Sequence, residues 1–327
     1  MKKFLKGLGA IALLGGLLST AVPALAETIV VAVGAPKNSL QGRSAEKFAT
    51  DLQARLGSGY KVEFYSDAQL GNEKELMQKL RLGTVQFTLI SSIMTTVANE
   101  FALFDLPFLV QDRAHMKRID QEIVQGVLLP KAQAKGLHVV STWENGFRQI
   151  TNSIRPITTP ADLAGIKIRT PSSEWRVAMF KEYGANPTAM AFSELFVALQ
   201  TGTMDGQENP LTNIVGANLH EVQKYLSLSG HVYTPTYLTT GSDAWNKMPA
   251  DVKKAVSEVA NNVQDWAFAE GEKADRELID KVVAAGVAVN QTDKAAFVAA
   301  SAPIYDLFNQ KVPGAGEMIR KARALAK

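Results

Sequence analysis

The sequence predicts an α/β protein in two lobes. Three observations predict it: short β-branched runs alternate with helical patterns, the alternation comes in two separate sets, and one helical pattern is far longer than the rest. In the first set Thr28–Val33 (TIVVAV) reads as a strand. Ser44–Leu56 follows as a helix with Ala45, Phe48, Ala49, Leu52 and Leu56 on one face. Val62–Tyr65 is a second strand, Asn72–Leu82 a helix begun by an Asn cap and ended at Gly83, and Val85–Ile90 a third strand. This βαβαβ run predicts a largely parallel sheet.

After a strand at Leu137–Thr142 the second set begins. Ile166–Thr170 is a strand stopped by Pro171, Glu174–Tyr183 a helix ended at Gly184, and Ser193–Gln200 a helix capped by Ser193 and ended at Gly202. The long pattern is Asp251–Ala285, with Val252, Val256, Val259, Val263, Trp266, Ala267, Leu278 and Val282 at helical spacing between Pro249 and Gly286. If continuous, about 35 residues at 1.5 Å rise span roughly 50 Å, so the helix has to pack on both lobes. A pair of helices broken near Gly271 fits the same pattern.

The 327 residues are 46% hydrophobic and 20% charged, which provides for real cores and excludes disordered and collagen-like chains. Lys and Arg number 35 against 32 acids, and the surplus sits in Met1–Ala26, which holds Lys2, Lys3 and Lys6 and no acid. That segment reads as a secretory signal cleaved after Ala26, with a basic start, an apolar stretch and Ala24-Leu25-Ala26 as a small-x-small site. The rest of the chain is formally neutral, so nothing points to nucleic acid. The absence of cysteine suits an oxidising compartment and removes thiolate catalysis and cysteine-based metal sites.

No HExxH, GxSxG, GxxxxGK[ST] or post-strand GxGxxG motif is present, so no catalytic residue, metal site or cofactor is expected. His115, His138, His220 and His231 stand alone, without ligand spacing. Arg169 is different. In Ile166-Lys167-Ile168-Arg169-Thr170-Pro171, period two sets Lys167 and Arg169 opposite the isoleucines, and Pro171 places Arg169 at the strand's carboxyl end. That end of an open α/β sheet faces the ligand crevice, and a guanidinium grips a carboxylate through two parallel hydrogen bonds. A salt-bridged arginine at a strand end fits the spacing equally well. Arg148 follows a turn-forming Asn145-Gly146 pair, and Asn209 precedes Pro210 where it is a candidate helix cap.

The order and spacing of these segments resemble one family over essentially the whole chain after Ala26: the solute-binding proteins of tripartite ATP-independent periplasmic (TRAP) transporters, of the DctP type. The resemblance is carried by Gln69-Leu70-Gly71, Asn145-Gly146-Phe147-Arg148-Gln149, Gly165–Pro171, Asn186–Leu195, Leu199-Gln200-Thr201-Gly202 and Asp205-Gly206-Gln207-Glu208-Asn209-Pro210. It implies the two-lobe periplasmic binding protein fold, with lobe 1 in residues 27–146 plus about 236–270 and lobe 2 in 147–235 plus about 271–327, and the ligand between them. Arg169 matches the arginine that pairs with the ligand carboxylate, Asn209 the asparagine and Phe192 the aromatic beside it, and Arg148 the second family arginine. Glu73 and Ser91 fall where relatives supply polar contacts from the first lobe. Trp143, Ser172 and Tyr237 complete the expected ligand set. Ala189 stands where proline is common, and Ser91 and Trp143-Glu144 depart from the sialic-acid-binding branch.

The expected function is therefore capture of a small organic acid anion in the periplasm and its delivery to TRAP permease membrane subunits, by a protein expected to be a monomer without a cofactor. One carboxylate plus several hydroxyls, as in a uronate or aldonate, suits this residue set. A C4-dicarboxylate, a keto acid or an aromatic acid are the alternatives. A secreted enzyme acting on an anion, or a sensory binding module, are the rival classes.

Overall fold

A computed structural model describes residues 27–326, so the export segment read in 1–26 lies outside the described residues. No helix among the described residues is long and apolar enough to cross a membrane. The first set of elements is β1 (Glu27–Ala32), α1 (Leu40–Leu56), β2 (Tyr60–Tyr65), α2 (Glu73–Leu82) and β3 (Phe87–Ile90), with β1 parallel to both β2 and β3. α1 starts ahead of the expected Ser44 because Ser39 caps it, its Oγ accepting from the Gly42 N–H at 3.1 Å. α2 begins at the expected Asn72 cap, reinforced by Glu75 in a capping box, and ends at left-handed Gly83.

Short 3₁₀ turns, α3 (Arg113–Ile119), a π-helical stretch (Asp120–Leu128) and α4 (Leu129–Gln133) lead into β4 (Leu137–Asn152). The second set is β5 (Lys167–Thr170), α5 (Glu174–Glu182), β6 (Asn186–Ala189), α6 (Leu195–Gln200), β7 (Gly206–Pro210), α7 (Leu211–Gly216) and β8 (Tyr225–Leu228). The chain closes with β9 (Tyr233–Gly241), α8 (Ser242–Lys247), α9 (Ala250–Ala284), β10 (Ala288–Gln291), α10 (Lys294–Ala300), α11 (Ala302–Lys311) and α12 (Ala315–Ala324).

The strands run in the order β2-β1-β3-β9-β4-β7-β5-β6, with β8 on β4 and β10 on β8. The sheet is mixed rather than largely parallel. Its wings are parallel, but β9 is antiparallel to β3 and β4, and β4 is antiparallel to β7 and β8. β4 is the link: Leu137–Phe147 pair with β9, whereas Arg148–Asn152 pair with β7 and β8, so one 16-residue strand serves both lobes.

Asn145-Gly146 therefore makes no turn. Gly146 has the positive φ (119°) that the pair predicts, but the register with β9 shifts between Glu144 and Gly146, so Asn145 is the extra residue of a β-bulge inside a continuing strand. Ahead of the bulge Trp143 and Glu144 keep regular register with Thr236 and Pro235, and both side chains reach α9. The Trp143 indole donates to the Ala260 carbonyl at 3.0 Å, and the Glu144 side chain lies against Gly271.

α9 is one continuous helix of 35 residues, and Gly271 does not break it. Its first half buries Val252, Val256, Val259 and Val263 against Phe48, Leu52 and Trp143. Its second half sets Leu278, Ile279 and Val282 against Leu211, Ile214 and Leu219. Each fully buried side chain of this size is worth about 1.5–3 kcal/mol, so the helix is fastened to both lobes, more strongly to the first, since Leu278 and Ile279 are only partly buried. Gly271 is required by space: a Cβ there would stand 2.5 Å from Cγ of Glu144.

Candidate functional site

Between the lobes lies a cleft that opens to solvent at its mouth. It is built from the ends of β-strands and the residues just past them. Arg169 in β5, Ser172 beyond its end, Phe192 after β6 and Asn209 in β7 come from the second lobe; Glu73 at the start of α2 and Ser91 just after β3 come from the first, and Arg148 comes from β4 as it leaves the bulge. The structure thus brings seven of the nine expected ligand contacts to one cavity.

Two expected contacts lie elsewhere. Trp143 is fully buried, edge-on to Phe48 at 5.8 Å between ring centroids, and committed to α9 through its indole N–H. Tyr237, in β9, packs edge-on to Phe101 at 5.2 Å and faces a separate small cavity beyond Ser91 and Ser92. Asn209 does not cap a helix: it is a β7 residue, and Pro210 is the residue ahead of α7.

Three buried arginines converge here, and their partners differ. Arg148 donates through Nε and one terminal nitrogen to the Glu208 carboxylate, and to Asn209 Oδ1 at 3.0 Å. Arg176, on α5, donates to the same Glu208 at 2.7 Å and to Asp105 at 2.6 Å, and Asp105 also accepts from the Ser173 hydroxyl at 2.5 Å. His231 completes the group, 3.2 Å from Glu208. Burial alone would push the Glu208 carboxyl up, but Arg148 and Arg176 beside it hold it well below the usual carboxylate range; burial keeps His231 below its ordinary value.

Arg169 has no such carboxylate. Its Nε and one terminal nitrogen donate to the Met190 carbonyl, at 3.0 and 2.6 Å, and its guanidinium lies 5.7 Å from the Phe192 ring centre. Among the described residues no ion pair engages it, although it is only 3% exposed. Burial, and the like charge of Arg148, push it down to about 10. Glu73 faces the same space: burial pushes its carboxyl up to about 7, against the opposing pull of Arg169 and the Ser91 backbone N–H.

Sequence reasoning missed the amides that join these groups. Asn213 on α7 donates to Asn145 at 3.1 Å and to Asn209 at 3.3 Å, and Asn145 donates to the Ser91 hydroxyl at 3.2 Å. Asn213 Oδ1 is buried without a partner, an acceptor turned into a cleft that Gln41 also lines. Asn145 and Glu208 sit within motifs that carried the resemblance, but only the bulge and the β4–β7 register reveal their neighbours. Chemically the cleft offers one buried, uncompensated guanidinium, an adjacent carboxyl near neutrality and a ring of amides and hydroxyls.

The profile of the DctP family, described as bacterial extracellular solute-binding protein, family 7, matches residues 31–311. The chain is similar to the 2,3-diketo-L-gulonate-binding periplasmic protein YiaO of Escherichia coli, at 35% identity over 85% of each chain. It is similar to the C4-dicarboxylate-binding periplasmic protein DctP of Rhodobacter capsulatus, at 33% identity over 90% of this chain and 91% of the other. Among solved structures it resembles a TRAP periplasmic solute-binding protein of Polaromonas sp. JS666 bound to D-erythronate, with a TM-score of 0.86 and 34% identity over 91% of this chain and 98% of that one.

Proposed function

Because the chain belongs to the DctP family of bacterial extracellular solute-binding proteins, we propose that its cleft captures a sugar acid, a uronate or aldonate, and hands it to the membrane subunits of a TRAP transporter. Proteins of this family are periplasmic and take small organic acid anions. The observation that carries the finer reading is the lone guanidinium of Arg169. Arg148 and Arg176 already own carboxylates, so of the three buried arginines Arg169 is the one that gains a counter-ion when an acid enters. A fork of two charge-assisted hydrogen bonds would fix the ligand carboxylate, and a neutral analogue would leave the cation buried and unpaired.

The remaining groups favour hydroxyls over a second carboxylate. The Arg148 fork is filled by Glu208, and Glu73 opposes another negative charge, which disfavours a C4-dicarboxylate. Asn145, Asn209, Asn213, Ser91 and Gln41 offer donors and acceptors spaced around the cavity, as a polyhydroxylated chain requires. The bound D-erythronate of the Polaromonas structure and the diketogulonate in the name of the Escherichia coli relative are ligands of that kind. Closure of the two lobes about the β4 bulge and α9 would complete the shell.

A thermal-shift screen of the chain from Glu27 against uronates, aldonates, dicarboxylates and keto acids tests this. A ligand at 100 times its dissociation constant adds about 2.7 kcal/mol to stability. Sugar acids should give the largest shifts. A larger shift with succinate than with any sugar acid would overturn the ligand class, and no shift with any acid would overturn the site.

A further inference from the structure

α7 follows directly on β7 and carries Asn213 into the cleft; its last residue, Gly216, meets the first lobe backbone to backbone. A Cβ at 216 would stand 2.7 Å from both Cα and N of Ser39 and 3.0 Å from the carbonyl carbon of Asn38. Gly216 has no left-handed φ, so the helix itself would accept any L-residue here. The requirement for glycine comes only from the opposing lobe.

That opposing surface cannot retreat. Ser39 accepts from Gly42 N–H through Oγ at 3.1 Å and donates to the Pro36 carbonyl at 2.6 Å, while its own N–H reaches the same carbonyl at 3.0 Å. The turn is already tight enough that a Cβ on Gly42 would fall 2.2 Å from the Pro36 oxygen. Nothing at the contact is the free end of a flexible side chain. The contact also separates two solvent grooves, one at the cleft mouth beside Phe192 and one beside α9, both of which Gly216 lines.

From this we propose that Gly216 is a positioning residue that sets how far the lobes close, and so how long the captured acid is held. The inference rests on the reading of the cleft as a closing anion site. Ordinary van der Waals contact for a Cβ begins near 3.4 Å, so a methyl group at 216 would hold this rim open by roughly 0.7 Å. The nearby hydrogen bond from Asn213 to Asn145, 3.1 Å here, would be stretched by the same movement. Dissociation should quicken while association, which begins from the open form, stays nearly unchanged.

A purely local role predicts something else. It makes the free protein lose stability in Gly216→Ala, whereas a contact made only on closure is absent from the open, unliganded form, where alanine, the better helix former, should leave the melting temperature unchanged or raise it. The affinity for ligand should fall about tenfold for Gly216→Ala and about a hundredfold for Gly216→Val, the range typical of overpacking. Loss of both stability and affinity in Gly216→Ala would mark a folding defect and overturn the proposal.

The experiment uses the chain from Glu27 with spin labels at Leu82→Cys and Val197→Cys, exposed positions on the two lobes of a chain that has no cysteine of its own. Interlobe distances are measured with and without an equimolar mixture of D-galactonate, D-glucuronate, D-erythronate and succinate, in the parent and in both Gly216 variants. The parent should shift to a short distance that Gly216→Val reaches less fully. If parent and Gly216→Val close to the same distance, Gly216 does not set closure, while the anion site stands. If the parent never closes, the anion-site reading falls and this proposal falls with it.

Discussion

Two arginine environments in this molecule are buried to the same degree and built to opposite rules. Around Glu208, Arg148 and Arg176 share carboxylates from Glu208 and Asp105, and every charge has a partner in the free protein. In the cleft Arg169 has only the Met190 carbonyl. Removing an ion from water costs several kcal/mol, so the first region is compensated by the chain itself and the second waits for a ligand to do it. An anion site is therefore recognised by a missing carboxylate, since buried arginines alone are present in both regions.

The contrast is broken most directly by removing each region's key charge. Arg169→Ala should lower affinity for the acid at least about a thousandfold, roughly 4 kcal/mol, as measured by isothermal titration calorimetry, and leave the unliganded protein as stable as before or more so. Glu208→Gln should do the reverse in the free protein. It leaves two buried guanidinium groups short of a carboxylate and should cost about 3–5 kcal/mol in denaturant unfolding. If Arg169→Ala destabilises the unliganded chain as much as Glu208→Gln does, the two regions are not different in kind.

Geometry sharpens the contrast further. Arg169→Lys keeps the charge but not the planar fork, so binding should weaken about tenfold to a hundredfold and selectivity for carboxylates over other anions should relax. A lysine as good as arginine would mean that the site reads charge alone.

The cleft arginine was legible in the sequence because three local signals coincide: strand alternation, a proline that fixes the strand's end, and the carboxyl edge of the sheet. Its lack of a partner was not legible, since that depends on where Glu208 and Asp105 fall in space, 39 residues after it and 64 before it in the chain. The long helix was legible because a 3.6-residue period survives between Pro249 and Gly286. That it stays whole at Gly271 depends on Glu144, which no periodicity can place. Trp143 was misread for the same reason: its ring is spent on Phe48 and its indole N–H on the Ala260 carbonyl of α9, neighbours that strand periodicity cannot place. Lobe topology misled in one respect, because a parallel βαβ pattern at each end says nothing about the antiparallel β4 and β9 that join them.

The smallest expected effect concerns Glu73, a titrating group that faces Arg169. With its carboxyl pushed up to about 7 by burial, Glu73 is mostly neutral at pH 6 and mostly ionised at pH 8. The sign follows from its raised value: the folded protein binds a proton that the unfolded chain has already lost, so this group's contribution to stability falls as the pH rises from the ordinary carboxylate range through about 7. Binding follows the same direction. A sugar acid is already an anion throughout this window, so ionising Glu73 sets a negative charge beside it and partly satisfies Arg169 from within. Affinity should therefore weaken about threefold to tenfold between pH 6 and pH 8, with proton uptake on binding near pH 7. Glu73→Gln should flatten that slope without removing binding. A slope that persists in Glu73→Gln would place the titrating group elsewhere, and an affinity that rises with pH would mean that Glu73 serves the ligand as an ionised acceptor of its hydroxyls, outweighing the repulsion.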